Sequence, residues 1–237
     1  MRMVSDMDVG NIVVIIRGPN GPLQGIYLFI MGTIFHFGDS YAGVGKVDKH
    51  FVKHIAKKIN YTYNGIGHIP GGSNEMILSK LLSCVMDIKK GDILFFNFSF
   101  FTRGSYYDKD LKKIMSTNYY YNDMDDQITL RDDKDYIMDI ISYQMDNNED
   151  YNRRLFHQFN ILFKHLHLKG ISIYYIFIRE NEWSNFLLQY GIKINFSTDF
   201  HTWLKDNEYH NEEEVHYTRG VQEHICDYVM GQMTKLI

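Results

Sequence analysis

Two short stretches of the sequence carry the residue types that nucleophilic chemistry requires. The first holds Ser40, which follows a glycine and an aspartate directly after the apolar run Thr33–Phe37. The second holds Glu213 and, three residues later, His216, ahead of an apolar helical pattern. A serine hydroxyl becomes a good nucleophile when a base removes its proton, and the base needs a third group that orients it. We therefore interpret Ser40 as a candidate nucleophile, His216 as its base and Glu213 as the orienting carboxylate.

Backbone donors at two turns complete this chemistry. Acyl transfer passes through an oxyanion, which is stabilised by N–H groups that point at one position. The N–H groups of Ser40 and Gly72 each lie at the start of a predicted helix, and Gly72 lets the backbone approach a substrate because it has no Cβ. Gly38, Asp39 and Ser40 also favour turns for local reasons, so the interpretation depends on all these residues lying together.

The hydrophobic pattern predicts the elements that bring these residues together. Apolar runs predict strands over 33–37, 61–66, 93–98, 171–178 and 192–196, the last of them at an edge. Apolar residues at helical spacing predict helices over 47–59, 73–88, 136–145, 151–168 and 219–236, and a short helix is also expected over 182–189. The alternation of strands and helices indicates a parallel sheet flanked by helices. Such sheets gather reacting groups at the carboxyl ends of their strands, which is where Ser40 and the turns after residues 69 and 98 are expected.

Three blocks of the sequence resemble, in order and near the same spacing, those of the SGNH/GDSL hydrolases. The blocks are Phe37–Tyr41, then Asn64 with Gly71–Asn74, and finally Glu213–Gly220. The resemblance spans residues 33–235 and implies an α/β fold of three α/β/α layers around a flavodoxin-like parallel sheet. It also implies hydrolysis of esters through a covalent acyl-serine, with Ser40 as nucleophile, His216 as base and Gly72 as an oxyanion donor.

The sequence departs from the pattern of this family at two places. Glu213 stands where the family has an aspartate, and Glu212 and Glu214 are close enough to take the same orienting role. The third block of the family, Gly-x-Asn-Asp, is replaced by Ser99–Arg103, so the asparagine that would donate to the oxyanion is missing. Its candidate replacements are Asn74, Ser99 and Asn97, and Arg103 is a candidate for holding an anionic or sugar substrate.

The residues and the resemblance together predict a serine esterase that acts on O-acyl groups, above all O-acetyl groups, of a carbohydrate or small ester. Transfer of the acyl group to another hydroxyl uses the same residues and is a further alternative. A different class of protein, a catalytically impaired binding or structural module, would keep the blocks only as turn geometry. The missing asparagine favours that alternative, as does the aromatic-rich stretch 99–121. It belongs to the irregular stretch 99–132, which is either functional or a small insertion with its own turns.

Composition and charge argue against several other classes. The net charge of −4, without a basic cluster, gives no case for nucleic-acid binding. The apolar runs near the N-terminus are too short to span a bilayer and no secretory signal precedes them, so we expect a cytoplasmic protein without a membrane span. Cys84 and Cys226 lie in apolar helical patterns and are expected to be buried free thiols. No spacing of metal ligands is present, so we expect neither a metal nor a cofactor.

The sequence predicts two segments of unequal size. Residues 1–30 form an N-terminal extension, either a hairpin across a Gly-Pro-Asn-Gly-Pro turn or a partly disordered segment, and residues 31–237 form the SGNH hydrolase-like domain. Within that domain, His36 alternates with phenylalanines and is expected to be a hydrogen-bonded core residue. His50 and His54 fall on the polar face of the helix predicted over 47–59, so we expect them at the solvated surface.

Overall fold

A computed structural model of the chain describes residues 13–15, 26–28, 32–38, 50–69, 72–101, 103–108, 112–118, 134–179, 189–211, 216–217 and 220–234. The strands are β1 (Val13–Ile15), β2 (Ile26–Leu28), β3 (Thr33–Gly38), β4 (Thr62–His68), β5 (Ile93–Phe98), β6 (Arg103–Asp108), β7 (Lys113–Asn118), β8 (Ser172–Phe177), β9 (Ile192–Lys193), β10 (His210–Asn211) and β11 (His216–Tyr217). The helices are α1 (Phe51–Lys58), α2 (Asn74–Cys84), α3 (Lys134–Asp146), α4 (Asn148–Leu168), α5 (Phe200–Asp206) and α6 (Gln222–Met233).

Five of these strands form one parallel sheet in the order β4-β3-β5-β8-β9. Numbered along the chain, this is the order 2-1-3-4-5 of flavodoxin-like doubly wound folds. The strand order reverses between β3 and β5, which therefore flank the switch point of the sheet. The predicted α/β class and flavodoxin-like arrangement are confirmed by this topology.

Each face of the sheet is covered by helices, because its central strands are apolar on both faces. On one face, α2 and α4 pack against alternate residues of the strands in a core rich in aromatic rings: Phe37, Phe96, Phe98, Phe156, Phe159, Phe163 and Phe177. On the other face, α1, α5 and α6 cover the remaining alternate residues, including Ile34, Phe95, Tyr174 and Ile176. The three layers predicted for the fold are thus present. Cys84 lies in the first core and Cys226 in the second, both as buried free thiols, as the sequence predicted.

The stretch after β5 contains a small insertion with its own structure. The strands β6 and β7 pair as an antiparallel hairpin, and α3 packs on β6 through Tyr106, Ile137 and Ile141. The side chain of Gln144 on α3 makes two hydrogen bonds to the backbone of Ser105, accepting from its N–H at 2.9 Å and donating to its carbonyl at 2.7 Å. Of the two alternatives for residues 99–132, the structure therefore supports the insertion for the described part.

The N-terminal segment contributes β1 and β2, which pair antiparallel with Val14 opposite Tyr27. This is the pairing that the two apolar runs predict, while the division of the chain at residue 30 stays a prediction. The short helix predicted over 182–189 lies almost wholly outside the described residues. No helix in the described part of the chain is long and apolar enough to cross a membrane.

Candidate functional site

The carboxyl edge of the sheet at the switch point is where the sequence predicts the candidate site. β3 ends at Gly38, which lies opposite Asn97 of the neighbouring β5. Ser40 follows two residues later and lies outside the described residues, as does Glu213. β3 itself ends at the crevice where doubly wound sheets bind their ligands.

The last helix brings the second candidate stretch to the same edge. α6 packs against α1, with Glu223 Oε1 3.9 Å from His54 Nδ1 and Asp227 paired with Lys58. Because the early residues of α6 lie beside the early residues of α1, the two helices run parallel. α1 follows β3 along the chain and therefore begins at the carboxyl edge, so α6 begins there too. The backbone of His216 lies in β11, paired with β10 shortly before α6.

Four predicted site residues form one connected cluster at this edge. The Asn74 side chain accepts a hydrogen bond from the Ser99 N–H at 2.7 Å and donates to the Ser99 carbonyl at 3.2 Å. Arg103 Nη1 donates to Ser99 Oγ at 3.1 Å and to the Gly72 carbonyl at 3.3 Å. Asn74 and Ser99 are both buried. The structure therefore brings Gly72, Asn74, Ser99 and Arg103 together, and their polar groups join the turn before α2 to the turn after β5.

The N–H group of Gly72 is engaged within its own turn, since it donates to the Ile69 carbonyl at 2.8 Å. A Cβ at this position would lie 2.9 Å from that same carbonyl oxygen, so the turn requires glycine. An oxyanion role for Gly72 stays a prediction, and it requires this N–H to serve a substrate in addition to, or instead of, the Ile69 carbonyl. The next residue, Ser73, caps α2 by accepting from the Met76 N–H at 3.3 Å.

A buried polar cluster lies on the α1 face beneath the switch point. The rings of His36 and His50 are in contact, with centroids 4.3 Å apart. The Tyr63 hydroxyl lies 3.0 Å from His36 Nδ1, and Asn97 Oδ1 lies 3.4 Å from His36 Nε2. Burial raises the pKa of Tyr63, so its hydroxyl stays protonated. His36 is thus the hydrogen-bonded core residue that the sequence predicted, and Asn97 faces this cluster.

The expectation that His50 is solvated is wrong, because it is 1% exposed. The helix begins at Phe51, four residues later than predicted from Val47, and His50 is its N-cap, with Nδ1 accepting from the Val52 N–H at 3.1 Å. His50 precedes the helix, and the side chain of a cap residue does not follow the helical periodicity. The periodicity that placed His50 on the polar face therefore does not describe its position. The sequence signal that could have revealed this capping role is the position of His50 immediately before the apolar residue that starts the helix.

A groove of about 720 Å³ lies between α2, α3 and α4, on the opposite face of the sheet from α1. Three tyrosines line it: Tyr136, Tyr143 and Tyr151. It adjoins the start of α2, because Glu75 contributes to its wall and accepts a hydrogen bond from the Tyr151 hydroxyl at 2.6 Å. Tyrosine-lined surfaces of this kind suit carbohydrates, which stack on aromatic rings and need polar partners.

In the part of the chain that the structure describes, no group of three or more His, Cys, Asp or Glu side chains is placed to hold a metal ion.

Two solved structures have folds similar to this one. The protein YxiM of Bacillus subtilis is 10% identical, with a TM-score of 0.49 over 86% of this chain, and the chain spans only 56% of its length. A protein of Veillonella parvula, described as a member of the lipolytic G-D-S-L family, is 10% identical with a TM-score of 0.44, and the match covers 87% of this chain and 98% of that protein. No protein-family profile matches the sequence, and no curated protein matches it significantly. The similarity concerns the fold alone.

Proposed function

We propose that this chain is a serine esterase of the SGNH/GDSL kind, which cleaves O-acyl groups, above all O-acetyl groups, from a carbohydrate or small ester. One observation carries the proposal: β3 ends at the switch point of the sheet, two residues before Ser40. Three further features agree with it. α6, the helix that follows Glu213 and His216, begins at the same edge. The turn that holds Gly72 is tied to the turn after β5. The tyrosine-lined groove beside α2 has a chemistry that suits a carbohydrate.

The proposed reaction uses the residues in fixed roles. His216 accepts the proton of the Ser40 hydroxyl while Ser40 Oγ attacks the ester carbonyl, and Glu213 orients and stabilises the imidazolium. The oxyanion of the tetrahedral intermediate is held by backbone N–H groups, for which the Ser40 and Gly72 amides are the candidates. The alcohol then leaves with the proton from His216, and the acyl-Ser40 ester remains. A water molecule, deprotonated by the same histidine, releases the acid and restores the hydroxyl.

A non-catalytic binding module on the same fold is the second candidate. It is favoured because two groups that catalysis would need already form hydrogen bonds within the protein. The Gly72 N–H donates to Ile69, and the Asn74 side chain is committed to the Ser99 backbone. In this structure the Gly72 N–H is therefore engaged within the protein, and one of the two N–H groups of the Asn74 amide is engaged by the Ser99 carbonyl.

Turnover of a simple ester separates the two candidates. Purified protein is incubated with p-nitrophenyl acetate and with acetylated glycans, alongside Ser40→Ala and, as a matched control, the exposed serine variant Ser83→Ala on α2. We expect the wild type and Ser83→Ala to release acetate at equal rates, and Ser40→Ala to be slower by at least about 10³-fold, as for loss of a nucleophile. Equal rates for the wild type and Ser40→Ala would overturn the esterase proposal.

Covalent labelling supplies an independent readout. A fluorophosphonate probe should label the wild type at Ser40 and leave Ser40→Ala unlabelled, because the probe reacts only with an activated hydroxyl. If labelling is seen but no acid is released from a glycan ester, the products are analysed with an added alcohol acceptor. Appearance of the acetylated acceptor then identifies acyl transfer as the reaction of the same residues.

A further inference from the structure

The carboxyl edge of the sheet carries a second cluster, built around the ring of Phe100. This half-buried residue follows β5 by two positions and packs against the core on the α1 face. The guanidinium carbon of Arg103 lies 5.3 Å from the centre of its ring, and that of Arg179 lies 5.8 Å from the same centre. The ring of His201 approaches its edge, with centroids 6.4 Å apart. Two permanent cations and one titratable ring therefore surround a single aromatic side chain.

The two arginines are placed differently. Arg103 is half-buried and bonded to the Gly72 carbonyl and Ser99 Oγ, so its position is fixed by the turns that it joins. Arg179 is exposed, follows the end of β8 by two residues and, among the residues that the structure describes, lies over the Phe100 ring. No carboxylate within those residues pairs with Arg179. Stacking on an aromatic ring orients a guanidinium group while leaving its N–H groups available for a planar anion.

The spacing of the strands relates this cluster to the end of β3, the strand that precedes Ser40 in the sequence. Adjacent strands lie about 4.8 Å apart, and β8 is two strands from β3 in the sheet. The end of β8 is therefore about 10 Å along the carboxyl edge from the end of β3, which is close to the length of one sugar ring with its acyl group. An ester bound with its carbonyl at Ser40 would reach the Arg179 guanidinium with the far side of its alcohol.

From this arrangement we propose that Arg179, supported by Phe100 and Arg103, is an anion subsite that selects acyl esters of acidic sugars. The substrate would carry its carboxylate or sulfate at Arg179 and its acetyl group at Ser40. The whole chain has a net charge of −4, so the cluster is a local positive site on an acidic protein and attracts an anion selectively to this edge. The inference deepens the proposed esterase function and depends on it for the position of the acyl group.

The test compares two esters that differ only in charge. One is an O-acetylated sugar acid with a free carboxylate, and the other is the same sugar with the carboxylate converted to its methyl amide. The readout is the ratio of kcat/KM for the acid to kcat/KM for the amide. We expect a ratio of about ten or more in the wild type, which falls about tenfold in Arg179→Gln, the loss typical of one charge-assisted hydrogen bond. The ratio should also decrease with salt, because the group is exposed.

A matched control and a binding measurement make the outcome unambiguous. Lys169→Gln removes an exposed positive charge at the opposite edge of the sheet, and it should leave the ratio within about twofold of the wild type.

Calorimetry with Ser40→Ala measures binding of the deacetylated sugar acid and of its amide without turnover. Preference for the acid there supports the subsite even if esterase activity fails, and a sulfated sugar tested in parallel identifies which anion is preferred. Equal kinetics and equal binding of acid and amide in the wild type, or a ratio unchanged by Arg179→Gln, would overturn the proposal.

Discussion

Replacement of Asn74 by alanine tests whether this side chain holds the candidate site together. In the wild type, its amide satisfies both backbone polar groups of Ser99, which is fully buried. Alanine leaves the Ser99 N–H and carbonyl without these partners, and each unsatisfied buried group costs about 1–3 kcal/mol. Because the turn after β5 can relax in part, we expect the free energy of unfolding to fall by about 2–4 kcal/mol.

The measurement is urea unfolding monitored by tryptophan fluorescence, with Asn207→Ala as the control. Asn207 is exposed and its side chain makes one hydrogen bond, to the Trp203 carbonyl at 2.8 Å. Its replacement should change the free energy of unfolding by less than about 1 kcal/mol. Asn74→Asp sharpens the comparison, because a carboxylate can accept from the Ser99 N–H but repels the Ser99 carbonyl. Protonation at low pH restores a donor, so Asn74→Asp should recover stability relative to the wild type as the pH falls.

Esterase kinetics of the same variants separate two roles for Asn74. If the side chain only positions Ser99, Asn74→Ala loses stability, and the rate falls because the turn between the two halves of the site has loosened. If instead the amide donates to the substrate oxyanion, kcat falls by about 10²-fold or more while stability is unchanged. Stability within about 0.5 kcal/mol of the wild type would refute the reasoning from the two hydrogen bonds, whatever the rate.

Three other changes test the structure away from the site. Gly67→Ala should destabilise the protein by about 1–3 kcal/mol or more, measured by urea unfolding, because a Cβ there would overlap the Phe37 ring. Burial raises the pKa of the Cys226 thiol to about 11 from 9.0, so a thiol reagent at pH 8 should modify it only after unfolding. The same raised pKa contributes stability that is present below pH 9 and is lost between about pH 9 and 11; Cys226→Ala should remove this part of the alkaline pH dependence. Lys58→Gln should change stability by less than about 1 kcal/mol, because its pairing with Asp227 is exposed.

The central sheet was predictable because its strands are apolar on both faces. β3, β5 and β8 each read as a mainly apolar run, with His36 in β3 and Asn97 in β5 as the polar exceptions within the runs, and such runs have few alternatives in an α/β protein. The helices α2, α4 and α6 were predicted because their apolar residues follow the helical period. The order of strands in the sheet came only from the family resemblance, since periodicity within a strand says nothing about its neighbours.

The hairpin of β6 and β7 was not predicted, and the reason is physical. Its residues are mixed in polarity, and the pairing is supported from outside by α3, a helix more than fifteen residues further along the chain. The hydrogen bonds that shape the site also join residues that are far apart in the sequence, since Asn74 bonds Ser99 across 25 residues and Gln144 bonds Ser105 across 39. Local patterns carry no information about such pairs, because each partner alone is an ordinary polar residue.

The stretch Ser99–Arg103 was expected to be the weak point of the site, since the asparagine of the family is missing there. The structure shows that this stretch is tightly held: Asn74 satisfies the Ser99 backbone, and Arg103 bonds both Ser99 Oγ and the Gly72 carbonyl. A guanidinium group thus lies between the two turns from which the family takes its glycine and asparagine donors. We propose that the positive charge of Arg103, which lies beside the turn of Gly72, takes the place of the missing amide in stabilising the oxyanion. Arg103→Lys then becomes informative, because it keeps the positive charge but replaces the planar guanidinium group, which is fixed against Ser99 Oγ and the Gly72 carbonyl, by an ammonium group on a flexible stem. It should lower kcat more than it raises KM.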